Sequence, residues 1–144
     1  MIAMDADILI YACKVEYPFN SKASNRVREL AESRSAYANA WPCLHEFYST
    51  VAYVNRYQPP STPPIAVKQI ALCMDSPTLQ LISETPTHWT ALHNLRMASV
   101  VKDALVHGAR IAAVCLLHGV REFWAAEQVF SRFPALTRHN PLLV

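Results

Sequence analysis

Glycine is almost missing from this chain, with only Gly108 and Gly119 among 144 residues. Loops that cradle phosphates need several glycines close together, so Walker-type and dinucleotide-binding fingerprints are absent, as is the G-x-S-x-G nucleophile elbow. A nucleotide cofactor and serine-hydrolase chemistry are therefore not expected. Charge is also scarce, at 17% of residues with a formal net charge of +2. That excess is too small to advertise nucleic acid by itself, although nine of the thirteen basic residues are arginines, the side chain best suited to phosphate. The four cysteines, Cys13, Cys43, Cys73 and Cys115, form no C-x-x-C pair and sit in apolar contexts, which fits free buried thiols in a reducing compartment better than a disulfide frame. The apolar run at the N-terminus lacks a basic flank, contains two acids and stops at Lys14, unlike a signal peptide or a membrane helix. A cytoplasmic protein without membrane association is expected, and 52% hydrophobic residues suit a single domain over residues 1–144.

What the chain does have is acid in an apolar setting. Met1-Ile2-Ala3-Met4-Asp5-Ala6-Asp7-Ile8-Leu9-Ile10-Tyr11-Ala12 carries two of its four aspartates. A segment this hydrophobic is destined for the interior, where a carboxylate is costly unless it is paired, hydrogen-bonded or bound to a cation. Ile2 to Met4 reads as a strand, and Asp7 to Cys13 as a helix with Asp7 as its N-cap. Ser21 to Ser33 reads as a surface helix and Tyr37 to Trp41 as a strand. Pro42 then stands at a helix N1 position, followed by Leu44, Phe47, Tyr48 and Val51 at helical spacing.

The proline-rich stretch Gln58 to Pro64 reads as a stiff loop, since hydrophobic patterning resumes in a helix from Ile65 to Met74. Leu79 to Ile82 is strand-like. Pro86 opens a helix whose apolar residues include Trp89, Leu92, Leu95 and Met97, and Gly108 to His118 is a strongly apolar helix closed by Gly119. Phe123 to Ala126 reads as a buried strand, with a last strand near Leu136 to Arg138. Alternation of this kind predicts an α/β fold, a central, mostly parallel sheet covered by helices on both faces, with ligands at the carboxyl ends of the strands.

In such a sheet Asp5 follows the first strand, Glu46 lies in the first turn of the helix after the second, and Glu127 follows the Phe123 to Ala126 strand. All three reach one edge. Gathered carboxylates repel and ordinarily need a divalent cation, and Mg²⁺ is held by a few carboxylates, waters and phosphate oxygens. A metal-dependent phosphodiesterase is the chemistry this pattern favours.

The same residues resemble the PIN-domain family, specifically VapC-type toxins of toxin-antitoxin systems, over nearly the whole chain. Met4 to Ala12 is similar to the family's D-x-N-[IVL]-L-[IVL]-Y-A opening. Trp41-Pro42-Cys43-Leu44-His45-Glu46-Phe47, His107-Gly108-Ala109-Arg110-Ile111-Ala112-Ala113, Phe130-Ser131-Arg132-Phe133-Pro134 and Asn140-Pro141-Leu142-Leu143 continue the likeness in order. The resemblance implies a three-layer α/β/α domain with four to five strands, Mg²⁺-dependent endoribonuclease activity (with Mn²⁺ as an alternative ion), an RNA substrate, homodimerisation and a cognate antitoxin.

Asp5 matches the family's first acid and Glu46 its second. The third departs: the family reads H-D-A-R-I-A-A, and Gly108 stands here in place of the aspartate. Where the family reads T-A-D-R-D-F, this chain has Ala125-Ala126-Glu127-Gln128-Val129-Phe130, so Glu127 keeps a carboxylate on a longer arm and Val129 loses one. Misplacing a reacting group by an ångström costs about a hundredfold, so weak or absent turnover is expected. The alternative is a catalytically inactive PIN-fold binding protein that dimerises and binds an antitoxin.

Asp7 and Asp103 are lesser metal-ligand candidates, Asp7 against its reading as an N-cap and Asp103 because it precedes the vacated position. His107, Cys115 and His118 make a poor zinc set, with no fourth ligand. Arg56, Arg96, Arg110, Arg121 and Arg132 read equally well as a phosphate path or as solvated surface, and Trp89, Trp124, Phe47 and Phe123 read as core.

Overall fold

Ile2, Ala3 and Met4 are too few to form a stable element alone, and the neighbours on both sides make them a strand. In the computed structural model, which describes residues 1–52, 63–99 and 105–143, strand β1 (Ile2–Met4) lies at the centre of a five-stranded sheet. Helix α1 (Ala6–Cys13) follows, then α2 (Asn20–Glu32), β2 (Tyr37–Ala40), α3 (Trp41–Ala52) and α4 (Pro63–Cys73). The chain continues through β3 (Leu79–Ile82), α5 (His88–Ser99), α6 (Leu105–Leu117), β4 (Glu122–Trp124), a short 3₁₀ turn (Val129–Arg132) and β5 (Thr137–His139).

The sheet order is β3-β2-β1-β4-β5 and every pairing is parallel. Register is set at the centre, where Ala3 lies opposite both Ala38 and Phe123, and Met4 opposite Trp124. The chain builds outward from β1 to β3 on one side, then returns to place β4 on the other. The order therefore reverses beside β1, and the carboxyl ends of β1 and β4 form the crevice that such a reversal creates. Strands covered on both faces read as continuous apolar runs, and all four residues of β2 are buried, including Asn39.

The predicted elements appear with shifted ends. Helix α1 begins at Ala6, so Asp5, in extended conformation at φ −77° and ψ 163°, is its N-cap and Asp7 is not; the strand ends at Met4 and the chain turns at once. Helix α6 begins at Leu105, which puts Gly108 inside it rather than at its start. Glu46 lies beyond the first turn of α3, because that helix already begins at Trp41. Helix α5 starts at His88, after a turn closed by the His88 N–H donating to Thr85 O at 2.9 Å.

Trp89 is a clearer correction, being 65% exposed and beside His93 rather than in the core. Residues at successive i+3 steps drift by about 60° around a helix. Leu92 and Leu95 reach the core cluster, and two such steps carry Trp89 off their face. Residues 58–62 of the proline-rich stretch, Arg56 and Asp103 lie outside the described residues, as do the side chains of Cys73 and Met97. Cys43 and Cys115 are buried free thiols, and Cys13 is half-buried. Among the described residues no helix is long and apolar enough to cross a membrane.

Phe123 is fully buried in β4, its ring centroid 4.5 Å from that of Phe130. Phe123→Ala is expected to cost about 3–5 kcal/mol in urea unfolding. Trp89→Ala is expected to stay within about 0.5 kcal/mol of wild type. Comparable losses in the two variants would contradict this assignment of core and surface.

Candidate active site

Asp5 is where the strand delivers its acid. Its backbone N–H continues the sheet by donating to Trp124 O at 2.9 Å, while its Oδ1 accepts from the Ala6 N–H at 2.8 Å and from the Cys43 thiol at 3.6 Å. The residue is only 6% exposed. Burial, then the carboxylate of Asp7, push its pKa up to about 8; the Ala6 amide opposes this, and Glu46 and Glu127 add to it. Three further acids thus bear on one buried carboxylate. Burial likewise drives the Cys43 thiol upward, beside Asp5 as its next cause, so it meets that carboxylate as a neutral donor.

Asp5, Glu46 and Glu127 line one depression of about 230 Å³ at the carboxyl ends of β1 and β4. Leu105, Gly108, Val129 and Phe130 give the same depression an apolar lining, with His107 among them. A Cβ placed on Gly108 would stand 3.6 Å from the Phe133 ring and 3.7 Å from a Val129 methyl, ordinary contact distances. The two positions that depart most from the family pattern, 108 and 129, therefore face each other as one apolar corner. Among the described residues no three His, Cys, Asp or Glu side chains converge closely enough to hold a metal ion as they stand.

Asp7 has a function that its local sequence hides. Its Oδ2 accepts from the Ala126 N–H at 2.8 Å and the Glu127 N–H at 3.1 Å. Arg138 holds the same peptide from the other side, donating from Nε to Glu127 O at 2.7 Å and from Nη2 to Ala126 O at 2.6 Å. Together they fix the segment from which Glu127 projects. Burial raises the Asp7 pKa to about 6 against the pull of these amides, and its Oδ1 is buried without a hydrogen-bond partner. Arg138 was not among the predicted site residues, because a single basic residue in a short edge strand carries no local signal of a contact made eleven residues away.

The other candidates are placed as follows. His107 lines the acid depression and, with Arg110, a neighbouring one of about 350 Å³ that also reaches Glu46. Arg110 is ion-paired with Glu84, which matches part of its charge. The His118 Nε2 lies 2.9 Å from Ser83 O, away from any zinc role, and burial pushes the Cys115 thiol up to about 12. His45 lies beside Trp41 on α3.

The raised acids give a signed pH dependence. A carboxyl whose folded pKa exceeds its unfolded value of 3.8 contributes stability that is complete below that value and is lost as pH rises through the folded one. For Asp7 that loss runs from 3.8 to about 6 and for Asp5 from 3.8 to about 8. Without divalent cations, melting temperature should fall between about pH 4 and 8 and level off above. Asp5→Asn should remove the upper part of that slope and melt higher than wild type at pH 8. A variant that melts lower there, or an unchanged slope, would contradict the clustering.

No protein-family model matches the chain. It is 24% identical over 139 residues, 95% of this chain and 94% of the relative, to Ribonuclease VapC48 of Mycobacterium tuberculosis. In fold it is similar to VapBC2 of Rickettsia felis, solved bound to a DNA fragment from its promoter, with a TM-score of 0.71, 16% identity and 97% and 98% of the two chains covered. It is also similar to M. tuberculosis VapC20, described as a sarcin-ricin loop cleaving toxin, with a TM-score of 0.65, 15% identity and coverage of 91% and 93%. The complex of FitAB with an IR36 DNA fragment gives 0.72, 14% and coverage of 100% and 97%. The chain thus resembles a VapC ribonuclease along nearly its whole sequence and shares the fold of these solved proteins across the sheet and its helices.

Proposed function

We propose that this chain is a VapC-type toxin whose acid cleft binds a divalent cation and RNA, with cleavage weakened by the apolar corner at Gly108 and Val129. The observation that carries this reading is the meeting of Asp5, Glu46 and Glu127 from three separate elements in one depression. Carboxyl oxygens gathered around an Asp5 that burial, and then its acidic neighbours, push up to about 8 suit a hard cation, and Mg²⁺ needs only one or two direct carboxylates, with water filling its other positions. Asp5 is the principal ligand in this reading, joined by Glu46 and Glu127, and Mn²⁺ suits the same oxygens. The ion, when bound, supplies Lewis acidity for hydrolysis of a phosphodiester. The chain's own part is to hold the carboxylates: Asp5 through Ala6 and Cys43, and the Glu127 backbone through Asp7 and Arg138.

A second reading, a PIN-fold protein that binds but does not cleave, is favoured by the contact of the Gly108 position with Val129 and Phe133. Either way the partners are a cognate antitoxin and a second copy of the chain, as suits a relative of proteins solved as VapBC and FitAB complexes. An apolar depression of about 380 Å³ bounded by Leu9, Ala12, Val27 and the 65% exposed Leu72 offers a surface for an apolar segment of such a partner.

Purified protein is expected to cleave structured RNA slowly with Mg²⁺ and not in EDTA, and Asp5→Asn should abolish the cleavage. Because a Cβ fits at position 108, Gly108→Asp should fold and raise the rate on the order of a hundredfold. If wild type and Gly108→Asp both bind Mg²⁺ in calorimetry yet leave RNA intact, the binding-only reading holds. If neither binds Mg²⁺, the metal assignment is wrong.

A further inference from the structure

The acid cleft does not end at its carboxylates. A depression of about 190 Å³ that shares Asp5, Glu46 and Glu127 with it is lined also by Asp7, Ile10, Tyr11, Tyr17 and Thr50. Tyr11 follows Asp7 by four residues in α1, so the two side chains share a helix face. Tyr17 comes from the turn after α1 and meets Tyr11 edge to face, with ring centroids 6.0 Å apart and an interplanar angle of 83°. Phe19, 44% exposed, meets Tyr11 in the same way at 5.6 Å and 82°.

This turn is held to the end of α1. The Asn20 Nδ2 donates to Tyr11 O at 2.8 Å and to Ala12 O at 3.0 Å. The rings are therefore fixed in place beside the acids, and Tyr11 and Tyr17 remain half-buried walls of the depression. Rings packed only to fill a core would be covered. An anion is unsuited to a depression lined by four acids, whereas a flat, neutral ring loses little by lying there. The other end of the cleft has different chemistry, with His107 and an Arg110 already paired to Glu84.

We propose that Tyr11 and Tyr17 form a stacking subsite for one unpaired nucleobase of the RNA, next to the phosphate held at the acids. The inference rests on the RNA-binding part of the function proposed above. Sequence-tolerant stacking on aromatic side chains is the usual way that proteins hold unpaired bases, and splayed bases are what sequence-specific RNA readers use. The subsite selects for single-stranded or looped RNA over a continuous duplex, since a stacked base must leave its own helix.

The test is the fluorescence of a single 2-aminopurine in a short single-stranded RNA, titrated with the full chain in Ca²⁺ so that the carboxylates are neutralised. Wild type and Tyr17→Phe are expected to perturb that fluorescence at one position of the RNA. Tyr17→Leu, which keeps apolar packing against Tyr11, should lose the perturbation and bind about tenfold more weakly at an unchanged melting temperature. The wild-type signal is read without any variant, so a Tyr17→Leu protein that fails to fold leaves the test intact. RNA bound without any perturbation by wild type, or bound equally well by a folded Tyr17→Leu, overturns the subsite and leaves the proposed function standing. No RNA binding by wild type overturns both.

Discussion

The structure turns on a carboxyl, Asp5, that its topology buries beside other acids. Asp5 cannot move away, because its backbone belongs to the central sheet and its side chain caps α1. Glu46 and Glu127 are brought to it by α3 and by the segment after β4, elements whose own placement is decided by burial of Leu44, Phe47, Val51 and Phe123. The core thus holds the acids in proximity, against their preference. Burial first, and then its acidic neighbours, drive the Asp5 carboxyl to about 8, and a cation or a proton relieves that cost.

A second constraint gives the cleft its shape. Asp7 and Arg138 grip the peptide of Ala126 and Glu127 from opposite sides, tying α1 and the edge strand β5 to the same turn. The unpaired Oδ1 of Asp7 is the cost of that arrangement, an oxygen buried without a donor in a cleft already rich in negative charge. Gly108 and Val129, in contact range of each other, add an apolar corner to the same cleft.

Much of this was legible in the sequence, because it is local. The Ile2 to Met4 run, the Leu44, Phe47 and Val51 spacing and the Gly119 stop each follow from hydrophobic period or backbone preference, and the alternation of elements determines that the acids share one edge. The misreadings share a different origin. Asp7 looks like an N-cap because its true partners lie 119 and 120 residues away, and Arg138, in a short edge strand, gives no local sign of its contacts 11 and 12 residues back. Trp89 looks like core because it is a large aromatic among the apolar residues of its helix, yet it is turned to the surface. Contacts between distant segments, and the drift of a helical stripe, are decided only when the sheet brings the elements together.

The central claim is that Asp5 is a buried acid destabilised by its neighbours and fit to be relieved by a cation. The most direct measurement is the titration of the Asp5 carboxyl carbon by ¹³C NMR, without divalent ions and then with saturating Mg²⁺. The account predicts a midpoint near 8 in the first case and a fall toward the ordinary carboxylate range in the second. An Asp5 that titrates near 3.8 without metal, or whose raised midpoint does not move with Mg²⁺, would contradict it.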